Sequence, residues 1–467
     1  MKKQNRSKST MLWRSTLKPL ALALAMGSSG VLANPGASGL LDVYQMALLQ
    51  DAKLAQARAQ YDANQQLLQQ AKGALLPNIS ASGSYTIGDI DYTDRTSTNV
   101  GVNLTQPLYN RAAWSGYEQA KSVVQQADYT FKSAEQDLIV RTTDVYFKVL
   151  LAQEDLNLAL AQEAADKIQW ERAEASAEVG LASLTDVLQA KSSYDLSKSN
   201  RINAENALDV ANEALLKLTG KNIASLKVLA LQVALPQEHL AMSDWEARAE
   251  NDNLTVKNLQ SQVDIATHNI ETQKSGHWPT ANLQANYSNT DYNGYPSTIT
   301  GKEDVQNTSV GINVSVPLYA GGATTAKVSE ARYQLQAAEQ ALRDSREQAR
   351  LDARVQVRTV ERGQSLVAAL REAVKSGSAF LEAAEESYKV GLKSLLEVLT
   401  ARSNYFSARR NLVEALHNQV VNRLKLEATA GDLQADDLQT YDRLLTAPEA
   451  PNMMQDHTLV ENAAQGS

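Results

Sequence analysis

Between Tyr117 and Val179 the sequence contains neither glycine nor proline. Drawn as one α-helix, that run extends about 95 Å at 1.5 Å per residue, which no compact domain can enclose. Proline is also absent from 108 to 235 and from 318 to 447, so two very long tracts are free to be helical. Their apolar spacing is that of a coiled coil. Val328, Ala331, Leu335, Ala338 and Leu342 step by three and four, as do Val145, Val149, Ala152, Leu156 and Ala159, which keeps one seam against a neighbouring helix. Alanine at alternate seam positions predicts close helix approach.

The two tracts belong to a tandem duplication. Leu76-Pro77-Asn78 through Tyr85 matches Trp278-Pro279-Thr280 through Tyr287 at an offset of 202. Val100 to Tyr109 matches Val310 to Tyr319 at 210, and Val179 to Leu188 matches Val390 to Leu399 at 211, with Gly220 and Gly431 closing the halves. Eight extra residues therefore lie between the first two landmarks of the second half. The organisation expected is a signal peptide (1–33), a first repeat (34–220), a linker (221–244), a second repeat (245–431) and a polar C-terminal tail (432–467), disordered from about Pro448.

The segments bracketed by Pro77 and Pro107, and by Pro279 and Pro317, change period. Ile79, Ala81, Gly83, Tyr85 and Ile87 alternate with Ser80, Ser82, Ser84, Thr86 and Gly88, and Val100, Val102 and Leu104 alternate with Asn99, Gly101, Asn103 and Thr105. In the second half Ala281, Leu283, Ala285 and Tyr287 oppose Asn282, Gln284, Asn286 and Ser288, while Val310, Ile312, Val314 and Val316 oppose Ser309, Gly311, Asn313 and Ser315. Period two predicts strands, and so one β-hairpin per half.

The N-terminus carries Lys2, Lys3, Arg6, Lys8, Arg14 and Lys18, then a short apolar run to Ala33, which is the plan of a secretory signal peptide. No stretch reaches the roughly 18 uninterrupted apolar residues of a spanning helix. Removing those six cations takes the net charge of −8 to −14, which argues against a nucleic-acid partner. The sequence has no cysteine, and its five histidines (His239, His268, His277, His417 and His457) share no metal-ligand spacing. Neither a metal nor a cofactor is expected, and no enzyme motif is found.

Strands apolar on one side and Ser/Asn/Thr/Gly on the other have the length and alternation of tilted membrane strands around a watery lumen. The sequence holds nothing else to cover those apolar faces. Hydrocarbon covers them if the sheet closes, because an open edge in lipid leaves backbone groups unpaired at several kcal/mol each. Four strands cannot close. Two copies give eight strands and a filled interior, whereas three give twelve and a passage. Trp114 and Trp278 flank the strands where an interfacial aromatic belt would lie.

The order helix, hairpin, long helix, Val-Gly-Leu turn and helix, repeated twice, resembles the TolC family of outer-membrane efflux and secretion channels. The lead from Val316-Pro-Leu-Tyr-Ala-Gly-Gly322 into a long helix, Thr185-Asp186, and Leu395 to Leu399 carry the resemblance further, from about Leu40 to Gly431. It implies a mainly α fold with a small β part: a homotrimer with a 12-stranded transmembrane barrel in the outer-membrane lipid, continued by a helical barrel in the periplasm. It also implies partners, namely a periplasmic adaptor and an inner-membrane transporter of ABC or RND type, serving efflux or type I secretion. Adaptor contacts would fall on Val179, Gly180, Leu181, Val390, Gly391 and Leu392. The periplasmic gate would use Thr185, Asp186, Tyr388 and Lys393, and the family's acidic constriction is matched by Glu397 but met by neutral Thr400 at the second position, which puts strong cation selectivity in question.

From the residues alone, Gly180 and Gly391 need only be turn glycines, and the polar residues after them a solvated surface. A rival reading is a periplasmic coiled-coil adaptor. Its single helical hairpin set into β-domains would not show a duplicated pair of alternating hairpins.

Overall fold

The computed structural model of the protein describes residues 37–90, 93–236, 241–293 and 304–447. The signal peptide read on 1–33 and the disorder read from Pro448 lie outside them. The first half runs α1 (Leu40–Gln50), α2 (Ala52–Gly73), β1 (Asn78–Ile90), β2 (Thr93–Tyr109), α3 (Arg111–Glu178) and α4 (Leu184–Thr219). After β3 (Val228–Leu229) the second half repeats the order as α5 (Met242–Asp252), α6 (Leu254–Lys274), β4 (Thr280–Asn293), β5 (Asp304–Ser315), α7 (Ala323–Lys389) and α8 (Leu395–Ala430). Helix α9 (Asp437–Asp442) and β6 (Leu445–Thr446) follow.

Helix α3 has 68 residues and α7 has 67, about 100 Å each at 1.5 Å per residue. Each is covered by two shorter helices in succession: α2 and α4 lie along α3, and α6 and α8 along α7. Asn110 starts α3 as an N-cap that accepts from the Ala113 N–H, and Gly322, at φ 82°, turns the chain into α7. Val328, Ala331 and Leu342 are buried in the α7 seam, as the heptad requires.

The opening helix of each half is broken, which the periodicity does not reveal. Asp51 separates α1 from α2 with ψ 117°, accepts from the Leu54 N–H at 2.8 Å and takes both forks of Arg141 at 2.9 and 3.1 Å. Asn253, 202 positions on, breaks α5 from α6, accepts from Thr255 and Val256, and donates to the Thr429 carbonyl at 2.9 Å.

The two hairpins join into one antiparallel sheet of order β1-β2-β4-β5. Gly83 pairs with Val100 and Ala285 with Val310, so both hairpins share one register under the repeat offsets. Two residues separate β1 from β2 and ten separate β4 from β5, so the eight extra residues fall in the second connection. Strand β2 continues through Pro107 to Tyr109 with an irregularity there, whereas β5 stops at Ser315, before Pro317. Pro107 lies beyond the end of β1, where its missing N–H costs no ladder bond on that side.

Cross-strand partners share a face, so the register decides where the four apolar sets go. The pairs Ile79–Leu104, Ala81–Val102, Val102–Tyr287, Leu104–Ala285, Leu283–Ile312 and Ala285–Val310 place all of them on one side. That side is open: Ile79, Ile87, Val310 and Ile312 are each at least 65% exposed. The other side is mainly Ser, Thr, Asn, Gln and Gly, with Val305 and Tyr292 toward the strand ends, and Asn99 donates to Thr290 Oγ1 at 2.6 Å across the β2–β4 seam. Where the sheet meets the helices, Trp114 and Trp278 are exposed, and the Arg111 guanidinium lies 4.7 Å over the Trp278 ring while pairing with Glu271 at 2.7 Å.

The main core wraps the middle of α3 and α8. Tyr146 is fully buried there, and its hydroxyl donates to the Lys227 carbonyl at 2.7 Å with the Ser38 carbonyl at 3.3 Å. The linker and the C-terminal segment meet through β3 and β6. Composition reads residues past Gly431 as a polar tail, and this needs correction: Leu433, Leu438, Tyr441 and Leu445 are core residues. Leu438, Tyr441 and Leu445 do step by three and four, but the stretch is too short and too rich in Asp and Gln for that spacing to stand out, and packing reveals them.

Candidate functional site

Both long helices end in the same local structure. At the end of α3 the Gly180 N–H donates to the Ala177 carbonyl at 3.0 Å and the Leu181 N–H to Ser176 at 2.8 Å. At the end of α7 Gly391 bonds Tyr388 at 3.0 Å and Leu392 bonds Ser387 at 2.9 Å. This pair of bonds is a Schellman closure, and it needs a left-handed residue after the cap. Gly180 has φ 77° and Gly391 φ 75°. Among the described residues nothing packs on the turns, and their apolar residues are open: Val179 and Val390 are exposed, with Leu181 84% and Leu392 80%.

The next helix starts on a capping box in both cases. Ser183 and Asp186 exchange bonds at the start of α4, with the Ser183 hydroxyl donating to Asp186 Oδ2 at 2.7 Å and the Asp186 N–H reaching Ser183 Oγ at 3.2 Å. The Ser183 hydroxyl and N–H hold the Asp186 carboxyl below the usual range. Ser394 and Glu397 do the same at α8, with the Ser394 N–H donating to Glu397 Oε2 at 2.9 Å and the Glu397 N–H to Ser394 Oγ at 3.3 Å. Glu397 also binds Lys393 Nζ at 2.7 Å. Lys393, then the Ser394 N–H and hydroxyl, hold its carboxyl down to about 2. The spacing Ser-x-x-Asp/Glu was readable in the sequence as a helix start, a structural role for Asp186 and Glu397 beside any gating one.

Of the other residues read as a gate, Thr185 and Thr400 are exposed, the latter donating to the Leu396 carbonyl at 2.8 Å. Tyr388 is half-buried. It packs against Ala173 and Ala190 of the first coil, with Trp170 and Val187 nearby, and against Ala384, Val398 and Ala401 of its own. The two turns are thus brought to one end of the molecule with Tyr388 between the coils. Lys393 pairs along its own helix, four residues on, and its ammonium lies 5.7 Å from the Phe380 ring.

Among the described residues no helix is long and apolar enough to cross a membrane. The best-formed depressions are shallow and charged, lined by residues such as Glu250, Arg346 and Arg350.

Known proteins agree with this geometry. The sequence model of the outer membrane efflux protein family matches residues 43–221 and 246–432. The chain is 31% identical to the outer membrane protein TolC of Vibrio cholerae, over 90% of this chain and 97% of that one. It is 30% identical to the proteases secretion protein PrtF of Dickeya chrysanthemi, over 90% and 94%. In structure it is similar to the Campylobacter jejuni CmeC outer membrane channel, with a TM-score of 0.72, 17% identity, and 87% and 90% of the two chains covered. With its fold shared across these channels and both of its halves matched, the chain belongs to the outer membrane efflux protein family.

Proposed function

We propose that three copies of this chain close their sheets into one 12-stranded barrel and that the paired helix tips form its periplasmic gate. The protein is an outer-membrane channel for efflux and type I secretion, its helical part in the periplasm. One observation carries the trimer. The sheet β1-β2-β4-β5 gathers its four apolar sets on one face and ends in two edges, β1 and β5. In hydrocarbon those edges must pair, and copies of the same sheet are the partner always at hand. Three copies supply twelve strands, enough for a water-filled lumen lined by the Ser/Asn/Thr face.

The gate residues are Thr185, Asp186, Tyr388, Lys393, Glu397 and Thr400, a reading supported by Tyr388, which packs against residues of both coils, with Leu399 beside it against Ala173 and Ala190. The single acid Glu397 is bound by Lys393, which supports a weakly cation-selective constriction. Opening is a population shift toward coils drawn apart, driven by partners that bind the open arrangement better. A periplasmic adaptor would grip the exposed Val179-Gly180-Leu181 and Val390-Gly391-Leu392 turns, and an inner-membrane transporter of ABC or RND type would load the cargo.

Single-channel recording in lipid bilayers tests the gate. Tyr388→Phe with Lys393→Ser should raise conductance well above the closed level, and an unchanged trace would refute it. Cross-linking from Leu181 and Leu392 tests the partners: capture of no adaptor from cells would remove the tip assignment. Extraction of a heat-sensitive trimer from outer membranes is expected, and a lone water-soluble particle would end the barrel reading.

A further inference from the structure

Above the tips the two coils meet along a seam of acid–arginine pairs, where Glu414 of α8 also bonds Arg410 at 2.8 Å. Helix α3 contributes Glu154, Asp155 and Asp166, and α8 contributes Arg402, Arg409 and Arg410. Arg409 Nε donates to Glu154 Oε1 at 3.0 Å. Arg410 Nε lies 3.0 Å from Asp155 Oδ1, but that buried oxygen receives no aligned hydrogen bond, so charge holds the contact. Nearer the tips Asp166 is 3% exposed, bonded to Ser197 and Gln162 and in the field of Arg402. Arg402 Nη2 donates to Glu385 of α7 at 2.6 Å, and its Nη1 is buried without a partner. Burial raises the carboxyl pKa of Asp155 and Asp166 against the pull of the arginines.

The seams inside each coil carry charge pairs too, Arg201 with Glu163 and Arg402 with Glu385, but near the tips they rest on apolar contacts. Near the tips α3 meets α4, and α7 meets α8, through Ala173, Ala190, Ala384, Val398 and Ala401, surfaces that resist parting because water would meet apolar groups. A seam of partly buried charge pairs gains little net energy, since desolvation offsets the attraction. On the tip side of the main core, which holds Phe147, Leu150, Leu412 and Leu416, the coils are joined by these pairs and by Tyr388 and Leu399 packed against Ala173 and Ala190. From Gly180, Asp166 lies about 21 Å and Glu154 about 39 Å along α3 at 1.5 Å per residue.

We infer that these acid–arginine pairs are a second, reversible latch that holds the α7–α8 coil on the α3–α4 coil independently of the tips. The inference deepens the gate reading above and rests on it. The latch must part for the coils to separate, and its acid–arginine pairing lets them return in register.

Full-length trimers in planar bilayers test it. Arg409→Glu with Arg410→Glu should raise channel opening on the order of tenfold, and Glu154→Arg with Asp155→Arg should do the same. The fourfold swap should restore the closed state, which a merely structural role would not do. A fourfold variant no tighter than either pair, or pairs that leave opening unchanged, overturns the latch. Tyr388→Phe with Lys393→Ser runs alongside: silence there counts against the tip gate, while the swap and its rescue still decide the seam. Where a reversed pair gives no trimer, Arg409→Gln with Arg410→Gln removes attraction without adding repulsion. That variant must itself open more often, and failure to do so also overturns the latch.

Discussion

A lysine placed at Val310 should abolish the channel, while one placed beside it at Ser309 should leave it intact. Val310 lies near the middle of β5, is 72% exposed and pairs with Ala285 on the apolar face. Ser309 pairs with Asn286 on the opposite, polar face. A lysine facing hydrocarbon at the midplane of a barrel costs about 2–4 kcal/mol, hence about 6–12 kcal/mol over three copies. That is comparable to the whole stability of a typical folded domain. A lysine facing the lumen stays hydrated at little cost and adds three positive charges to the passage, so Ser309→Lys should also shift ion selectivity toward anions. The assay is the yield of heat-sensitive trimer in outer-membrane fractions, followed by bilayer recording of what assembles. Equal yields for the two lysines, or loss of Ser309→Lys alone, would refute the assignment of faces.

Two glycines with the same backbone should respond differently to alanine. At Gly391 (φ 75°) a Cβ meets nothing within 4 Å, so Gly391→Ala should cost only the left-handed backbone, about 1–2 kcal/mol, seen as faster amide exchange at the turn with the trimer preserved. At Gly431 (φ 81°) a Cβ would fall 2.1 Å from the Asp252 carbonyl oxygen, so Gly431→Ala should lower trimer yield outright. Tyr146→Phe removes the hydroxyl that joins α3 to the linker carbonyl of Lys227, and should lower the heat-dissociation midpoint by the equivalent of about 1–2 kcal/mol per subunit. His417 stacks on Phe147 at 4.7 Å, and burial lowers its pKa from 6.5 to about 4. The unfolded chain therefore binds more protons between those values, so stability is full above pH 6.5 and falls as pH drops toward 4, by up to about 3 kcal/mol. Urea unfolding at pH 7 and pH 5 should show this slope, and His417→Gln should flatten it.

Much of this molecule is local, and local features are written in the chain. The lengths of α3 and α7 follow from where proline and glycine are missing, the hairpins from a period of two, and the Schellman turns from Gly180 and Gly391. The capping boxes at Ser183 and Ser394 are equally local, written as Ser-x-x-Asp and Ser-x-x-Glu. Apolar alternation on strands with no core to meet is itself the mark of a lipid-facing sheet.

Contacts between residues far apart in sequence were decided only by the folded chain. Pairing of β2 with β4 merges two hairpins into one sheet with one apolar face, because register between strands some 190 residues apart depends on how α3 and α6 align them. The breaks at Asp51 and Asn253 survive because Arg141 and the Thr429 carbonyl wait there, partners no window of sequence contains. Leu433 to Leu445 look polar in company and become core only when the linker lies against them. The charged seam is hidden for the same reason: Glu154 and Arg409 stand 255 positions apart, and periodicity shows which way a helix faces but not what it will find there.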